Sequence, residues 1–441
     1  MKARELLEGR RRLEAFMNPL LPLFGRSERR YWAAMYVHGL LLEGGGRKTA
    51  AGIARQLEGD AQGLQQFVNQ SPWDWEPVRR EMAGQMLESV GYGGGWIIDD
   101  TGFPKKGEHS VGVARQYSGT LGKVGNCQIG VSLNYATADT CFPLDFELYL
   151  PRKWTDSGEL RERADIPPDR EFRSKWQLAC EMIDRALDWG VPAGVVIADA
   201  GYGVATGFRK ALRARHLHYV VGIAPEAGFW LEEVRPEAPD YQGRGRPRTR
   251  HYELPSPASA AAIAQQLPDE AWLEVVWRQG SKGPLKSRFA AVRAQPSHGY
   301  AHGLVTEPMG WLLIQWPEDA EEPSRYWVSN LDDTTTLREL VYWGKARWWV
   351  EQNYQQLKNH LGLDHFEGRS WPGWHHHVTL TMMAYNFLVL EALRAKENFW
   401  VDPPQGTTGN CDDDPLGTTR FLSHVQEGNA EQQRTATHLT Q

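Results

Sequence analysis

Cysteine is scarce in this chain and never paired. Its 441 residues include four, Cys127, Cys141, Cys180 and Cys411, with no Cys-x-x-Cys spacing. That argues against a zinc knuckle and fits a reducing compartment. No apolar run reaches the roughly 18 residues of a membrane helix, so no membrane partner is expected. Residues 1–30 contain Arg10-Arg11-Arg12 but no apolar segment leading to a cleavage site. A secretory signal is therefore not expected, and the cytoplasm is the expected location. The glycine-rich stretch 91–95 is not followed by a phosphate-loop pattern, which argues against nucleotide binding. A dominant charge sign is missing too: 49 Lys and Arg stand against 55 Asp and Glu, a net charge of −6, which by itself does not suggest a nucleic-acid partner.

What is present is unevenly distributed. Residues 1–30 carry eight Lys and Arg against four glutamates, whereas residues 397–441 carry seven acids against Arg420 and Arg434. The acidic total is mostly a tail effect, which leaves room for local basic patches. Tryptophan is abundant at 19. Most of these fill cores, although indoles on a nucleic-acid surface would serve as stacking platforms.

Apolar residues at helical spacing predict helices over 3–20, 31–42, 48–57, 61–68 and 77–90. This is an α-helical N-terminal domain, 1–90, able to bind DNA or to pack as a plain bundle. Strands are predicted over 95–100, 110–116 and 127–136, then a helix over 173–189 and a strand over 193–199. That order matches the start of an RNase-H-like α/β domain. A closing helix over 337–361 arrives only after strand-like pieces at 219–223, 272–277, 289–292, 311–316 and 326–329. The expected organisation is a catalytic core of 91–204 and 331–396, a β-rich insertion of 205–330 within it, and a mobile acidic tail of 397–441.

Asp100 and Asp199 each close a short apolar run bounded by glycine, Trp96-Ile97-Ile98-Asp99 and Val195-Val196-Ile197-Ala198. Glu351 lies in the closing helical pattern. At 3.6 residues per turn, Arg347, Glu351 and Lys358 share one face. Two strand-end carboxylates and a helical one flanked by cations suit divalent metals held against a nucleic-acid backbone, because such ions take hard oxygen ligands. Either aspartate alone is more commonly a turn or helix-cap residue, and Glu351 alone could serve as an ordinary salt-bridge partner of Arg347. Alternation sends Asp99 and Asp100 to opposite sides of their strand, so only one serves.

Lys105 and Lys106 follow the first aspartate, where a scissile phosphate would dock, or else form a solvated turn. Arg115 and Lys123 are weaker cases. Arg244 and Arg246 lie in Arg-Gly-Arg-Pro, which resembles an AT-hook core for the minor groove and also suits a basic loop. His375-His376-His377 point in different directions from one helix. They read as the opening of an amphipathic helix over 378–394, not as metal ligands.

The segments Asp99-Asp100-Thr101-Gly102-Phe103-Pro104-Lys105-Lys106-Gly107, Ser110-Val111-Gly112-Val113-Ala114-Arg115-Gln116-Tyr117, Ala198-Asp199-Ala200-Gly201-Tyr202-Gly203 and Leu361-Gly362-Leu363-Asp364-His365-Phe366-Glu367-Gly368-Arg369-Ser370-Trp371 resemble the DDE transposases of bacterial insertion sequences. The similarity is to the insertion-sequence-four superfamily, in its seven-zero-one branch, and runs from about residue 24 to 394. That superfamily carries Tyr-(2)-Arg-(3)-Glu-(6)-Lys on its last catalytic helix. Here Arg347-(3)-Glu351-(6)-Lys358 fits, but the tyrosine position holds Gly344, with Tyr342 and Tyr354 nearby.

The resemblance implies an RNase-H-like catalytic domain in which Asp100, not Asp99, joins Asp199 and Glu351 around two Mg²⁺ ions, with Mn²⁺ as a substitute. It implies DNA contacts from Arg347 and Lys358, with Tyr354, on the same helical face as Arg347, the candidate for the missing tyrosine's contact, and it makes Trp327 a candidate to receive a flipped base. It further implies cut-and-paste transposition. The protein would act as a homodimer on double-stranded DNA, binding terminal inverted repeats, cleaving the ends and joining them to target DNA close to the nucleoid. An RNase-H-like nuclease without strand transfer and a non-catalytic DNA-binding regulator are the competing readings.

Overall fold

A computed structural model describes residues 3–42, 46–235, 243, 254–280, 283–297 and 307–401. Helices α1 (Ala3–Met17), α2 (Ser27–Leu41), α3 (Ala50–Gln56), α4 (Ala61–Asn69) and α5 (Trp75–Val90) come first. Strands β1 (Gly95–Pro104), β2 (Ala114–Ser118), β3 (Lys123–Ala136) and β4 (Cys141–Tyr149) follow, then α6 (Arg152–Asp156), α7 (Gly158–Arg163) and α8 (Lys175–Asp188). Next are β5 (Val196–Ala198), α9 (Ala200–Gly203), α10 (Thr206–Ala214), β6 (Tyr219–Ile223), β7 (Gly228–Trp230), β8 (Ala258–Ser259) and α11 (Ala260–Gln266). The chain continues through β9 (Leu273–Gly280), β10 (Gly283–Pro296), β11 (Gly310–Trp316) and β12 (Arg325–Ser329) to α12 (Leu337–Lys345), α13 (Trp348–Asn359) and α14 (Trp371–Val401). The strands form one large mixed sheet in the order β2-β3-β1-β5-β6-β12-β11-β10-β7-β8, with β4 on β3 and β9 on β10. No described helix is long and apolar enough to cross a membrane.

Two compact units divide the chain. The first holds residues 1–93, 99–192 and 349 onward, the second 94–98 and 193–348. Helices α1–α5 thus belong to the first unit and do not form one of their own. Polar caps fix where several of them begin. Thr49 accepts from Gly52 N, Asp60 from Gln62 N and Gly63 N, and Asp74 from Glu76 N, each satisfying a first-turn amide.

The first unit is built around α14. Its residues 374–389 are buried on every side, as expected of a helix apolar all round, and it packs on α2, α4, α5 and β4. It starts at Trp371, seven residues before the predicted 378, and runs to Val401. Residues 397–401 are therefore helical, contrary to the tail expected from 397, and 402–441 lie outside the described residues.

Strand β4 was not expected from the sequence, because Asp145 and Glu147 interrupt its apolar run. Both are buried and paired. Arg79 donates to Asp145 at 2.7 Å, Arg185 to Asp145 at 2.6 Å and to Glu147 at 2.8 Å, and Arg170 to Glu147 at 2.8 Å. The charges look like a solvated turn in sequence but form an internal ion network linking α5, β4 and α8.

In the second unit, β6 runs parallel to β5, while β12, β11 and β10 are antiparallel. Its core includes Phe289, Leu313, Trp327, Leu340 and Val341, so Trp327 takes a core position. The strands expected as an insertion continue the ladder that starts at β5.

The helix predicted over 337–361 is broken. A Thr336–Glu339 capping box opens α12, Ala346 N bonds back to Trp343 O in a tight turn, and α13 starts afresh at Trp348. Leu340 and Val341 bury in the second unit's core, whereas the residues of α13 from 349 on belong to the first unit, where Val350 and Leu357 are buried. Arg347 sits in the turn, so a shared helical face holds for Glu351 and Lys358 but not for Arg347.

Candidate active site

Strands β1 and β5 run parallel with Trp96 opposite Val196, Ile97 opposite Ile197 and Ile98 opposite Ala198. All six are buried. Asp199 is the next residue after Ala198, and Asp99 and Asp100 are the next after Ile98. Each apolar run is therefore followed by carboxylate, Asp199 just past the end of β5 and Asp99-Asp100 within β1, which continues to Pro104.

The two residues of the Asp99-Asp100 pair have different surroundings. Asp99 is buried, and its Oδ1 accepts a hydrogen bond from Asp100 N at 2.9 Å. The side chain of Asp100 is partly exposed, and its Oδ2 accepts from Lys175 Nζ at 2.9 Å. Lys175 opens α8, whose start is fixed by a Ser174–Gln177 capping box. Nothing in the sequence singles out this lysine. The only sequence signal is the cap that sets the helix start.

Asp199 stands at the N-cap of α9, yet its side chain makes no cap hydrogen bond. Its Oδ1 is buried and has no hydrogen-bond donor among the described residues, which is rare for a carboxylate oxygen and suits a cation ligand. Glycines allow the surrounding backbone to pack this closely. A Cβ on Gly203 would lie 1.9 Å from Gly222 O, and one on Gly201 would lie 3.0 Å from Asp199 Oδ1. The Ala-Asp-Ala-Gly-Tyr-Gly segment therefore lays α9 directly against β6.

Glu351 is exposed on the first turn of α13, where the helix dipole favours an acid. Two turns on, roughly 10 Å along the axis, Lys358 Nζ donates to Gly102 O at 2.8 Å and to Thr120 Oγ1 at 2.9 Å. This ties α13 to β1 two residues beyond Asp100. Burial pulls the Lys358 ammonium down to about 8. Gly362, with φ +66°, ends the helical run in the left-handed conformation glycine favours. Leu363 N there bonds back to Leu357 O at 2.9 Å.

The other predicted contacts divide. Lys106 and Arg115 are exposed. Lys105 turns inward, donating to Phe366 O at 2.6 Å, and burial lowers it to about 8. Tyr354 is placed in the core instead of on a DNA surface: it is buried, with its hydroxyl 2.5 Å from Ser132 Oγ. Arg244 and Arg246 lie outside the described residues. Each histidine of 375–377 is buried and has its own surroundings: His375 stacks on Trp75, His376 faces Val68 O and Trp73 O, and His377 pairs with Tyr36. Among the described residues, no three His, Cys, Asp or Glu side chains are grouped as a ready-made metal cage.

Residues 19–284 match a family model described as DDE superfamily endonuclease. The match includes Asp100 and Asp199 and ends before Glu351. A protein of Microchaete diplosiphon described as "Probable transposase for insertion sequence element IS701" is 28% identical over 355 residues, covering 78% of each chain.

Proposed function

This chain belongs to the DDE superfamily endonucleases, and from that premise we propose that it is a cut-and-paste transposase. It binds the inverted repeats at the ends of its own element, cleaves there and joins the freed 3′-OH to target DNA. The name of the Microchaete diplosiphon relative supports this over a nuclease without strand transfer. The observation that carries it is the parallel register in which Ile98 and Ala198 are partners, followed by Asp199 on one chain segment and by Asp99-Asp100 on the other.

Asp100, Asp199 and Glu351 are the residues that hold divalent metal, two Mg²⁺ ions with Mn²⁺ as a substitute. The donor set fits: all are hard carboxylate oxygens, and the Asp199 Oδ1 is buried without a donor among the described residues. Metal bound there supplies an activated attacking oxygen and charge relief at the leaving oxygen. Lys358 and Arg347 bind phosphate on either side of Glu351. Lys106 and Arg115 extend the cationic path along the DNA, and Arg244 and Arg246 add a minor-groove contact. The protein's contribution is positioning and fixed charge.

In this reading, residues 91–204 and 331–396 form an RNase-H-like core, 205–330 are elaborated from it, and helices within 1–90 recognise the end sequence. Joining two ends in one complex calls for a homodimer on DNA. The test is cleavage of a supercoiled plasmid carrying the DNA that flanks the gene. Asp100→Ala, Asp199→Ala and Glu351→Ala should each abolish Mg²⁺-dependent end cutting while DNA binding persists. Full cutting by any of them removes that residue from the site.

A further inference from the structure

The hairpin of β2 and β3 carries an exposed aromatic step beside the strand that bears Asp100. Tyr117 and Val124 are cross-strand partners, and they are 63% and 55% exposed. Arg115 lies on the same face of β2, two residues from Tyr117. Asn126, opposite Arg115, donates from Nδ2 to Lys105 O and Gly107 O, both at 2.9 Å. It thereby pins the loop that carries the exposed Lys106. At the hairpin tip, Thr120 Oγ1 donates to Gly102 O at 3.2 Å and accepts from Lys358 Nζ at 2.9 Å. The hairpin is therefore fastened both to β1 two residues past Asp100 and to the lysine of α13.

Charge selects the occupant. Residues 104–126 hold Lys105, Lys106, Arg115 and Lys123 against the single acid Glu108, in a chain of net charge −6. An exposed ring rimmed by cations is how proteins receive a base together with its phosphates. We propose that Tyr117, backed by Val124, is the stacking platform for an unpaired or terminal nucleobase of the DNA held at the Asp100 strand, with Arg115 and Lys106 on the flanking phosphates. This rests on the transposase reading above and deepens it.

The experiment measures equilibrium binding of end-sequence duplexes, in Ca²⁺, over a series of salt concentrations. Stacking and phosphate contact separate by salt dependence. Tyr117→Ala should weaken binding about tenfold with the salt slope unchanged, and Tyr117→Trp should restore it. Arg115→Ala should lower the slope by about one. Photo-crosslinking of intact protein to 5-iodouracil at the bases flanking the cut should label Tyr117, whether or not the alanine variant folds. Wild-type affinity in Tyr117→Ala, a changed slope, failure of tryptophan to restore binding, or no crosslink each overturns the proposal. So does a Tyr117→Ala effect confined to self-association of DNA-free protein. If wild type binds and cuts its ends while Tyr117→Ala behaves like it, only this inference falls. If wild type neither binds nor cuts, the transposase reading falls with it.

Discussion

Lys175 Nζ sits 2.9 Å from Asp100 Oδ2, so the carboxylate proposed to hold metal is neutralised by a cation from the protein itself. Metal binding through Oδ2 would compete with this ammonium. The pair is partly solvent-screened, with Lys175 35% exposed, and such pairs contribute at most about 1 kcal/mol. Lys175→Met should therefore tighten Mn²⁺ binding to DNA-free protein by up to about fivefold, read by calorimetry. Unchanged or weaker binding would mean that Lys175 does not compete with metal.

Proton uptake should accompany DNA binding at alkaline pH. Burial lowers Lys358 to about 8, so at pH 9 the free protein holds it mostly neutral. A phosphate oxygen favours the ammonium, and binding then takes up a proton. Binding enthalpies compared in two buffers of different ionisation heat should reveal the uptake, and Lys358→Met should remove its share. Equal uptake in variant and wild type would place Lys358 away from phosphate.

Arg79 is the most deeply buried cation of the ion network. It donates to Asp145 Oδ1, Phe146 O and Thr379 Oγ1 at 2.7–2.8 Å. Burial lowers its pKa, and Asp145 and Glu147 oppose that shift. Arg79→Met leaves acid buried with fewer partners and should cost about 3–5 kcal/mol in denaturant unfolding. A loss below about 1 kcal/mol, the scale of an exposed pair, would show that Arg170 and Arg185 suffice to neutralise the site.

His377 should make the fold acid-sensitive. Its Nδ1 faces the Tyr36 hydroxyl at 2.9 Å and its Nε2 faces Gly362 O at 3.1 Å, an arrangement a neutral ring satisfies. Burial lowers it to about 4. A histidine depressed in the fold stabilises above its unfolded pKa near 6.5, and that stability fades as pH falls towards 4. His377→Gln should flatten the dependence between pH 6.5 and 4. An unaltered slope would assign it to other groups.

The packing of α9 on β6 can be tested at Gly203, where a Cβ would meet Gly222 O at 1.9 Å. Gly203→Ala should destabilise by about 1–3 kcal/mol and reduce end cleavage by shifting Asp199. Gly107, with nothing within 4 Å of a built Cβ, is the control, and Gly107→Ala should change stability little. Indistinguishable melting of the two variants would contradict the packing.

The sequence by itself determined the elements whose signals are local. The apolar runs before Asp99 and Asp199 specify where β1 and β5 lie, because a buried strand needs only a short continuous apolar stretch, although β1 continues past Asp100 to Pro104. Spacing alone put Glu351 and Lys358 on one helical face. Local caps such as Asp60, Asp74 and Thr336 fixed helix starts for the same reason: a cap bonds amides two or three residues away.

Tertiary structure decided what depends on partners distant in sequence. Strand β4 forms although Asp145 and Glu147 interrupt its apolar pattern, because Arg79, Arg170 and Arg185 arrive from elsewhere to neutralise them. The 337–361 pattern splits at Ala346 because its two halves bury in different units, a choice helical periodicity cannot register. Tyr354 joins the core because Ser132 waits there, and Lys175 meets Asp100 although 75 residues separate them. Periodicity records which face of an element is apolar, whereas the partner of a buried charge or hydroxyl is set only when the chain closes on itself.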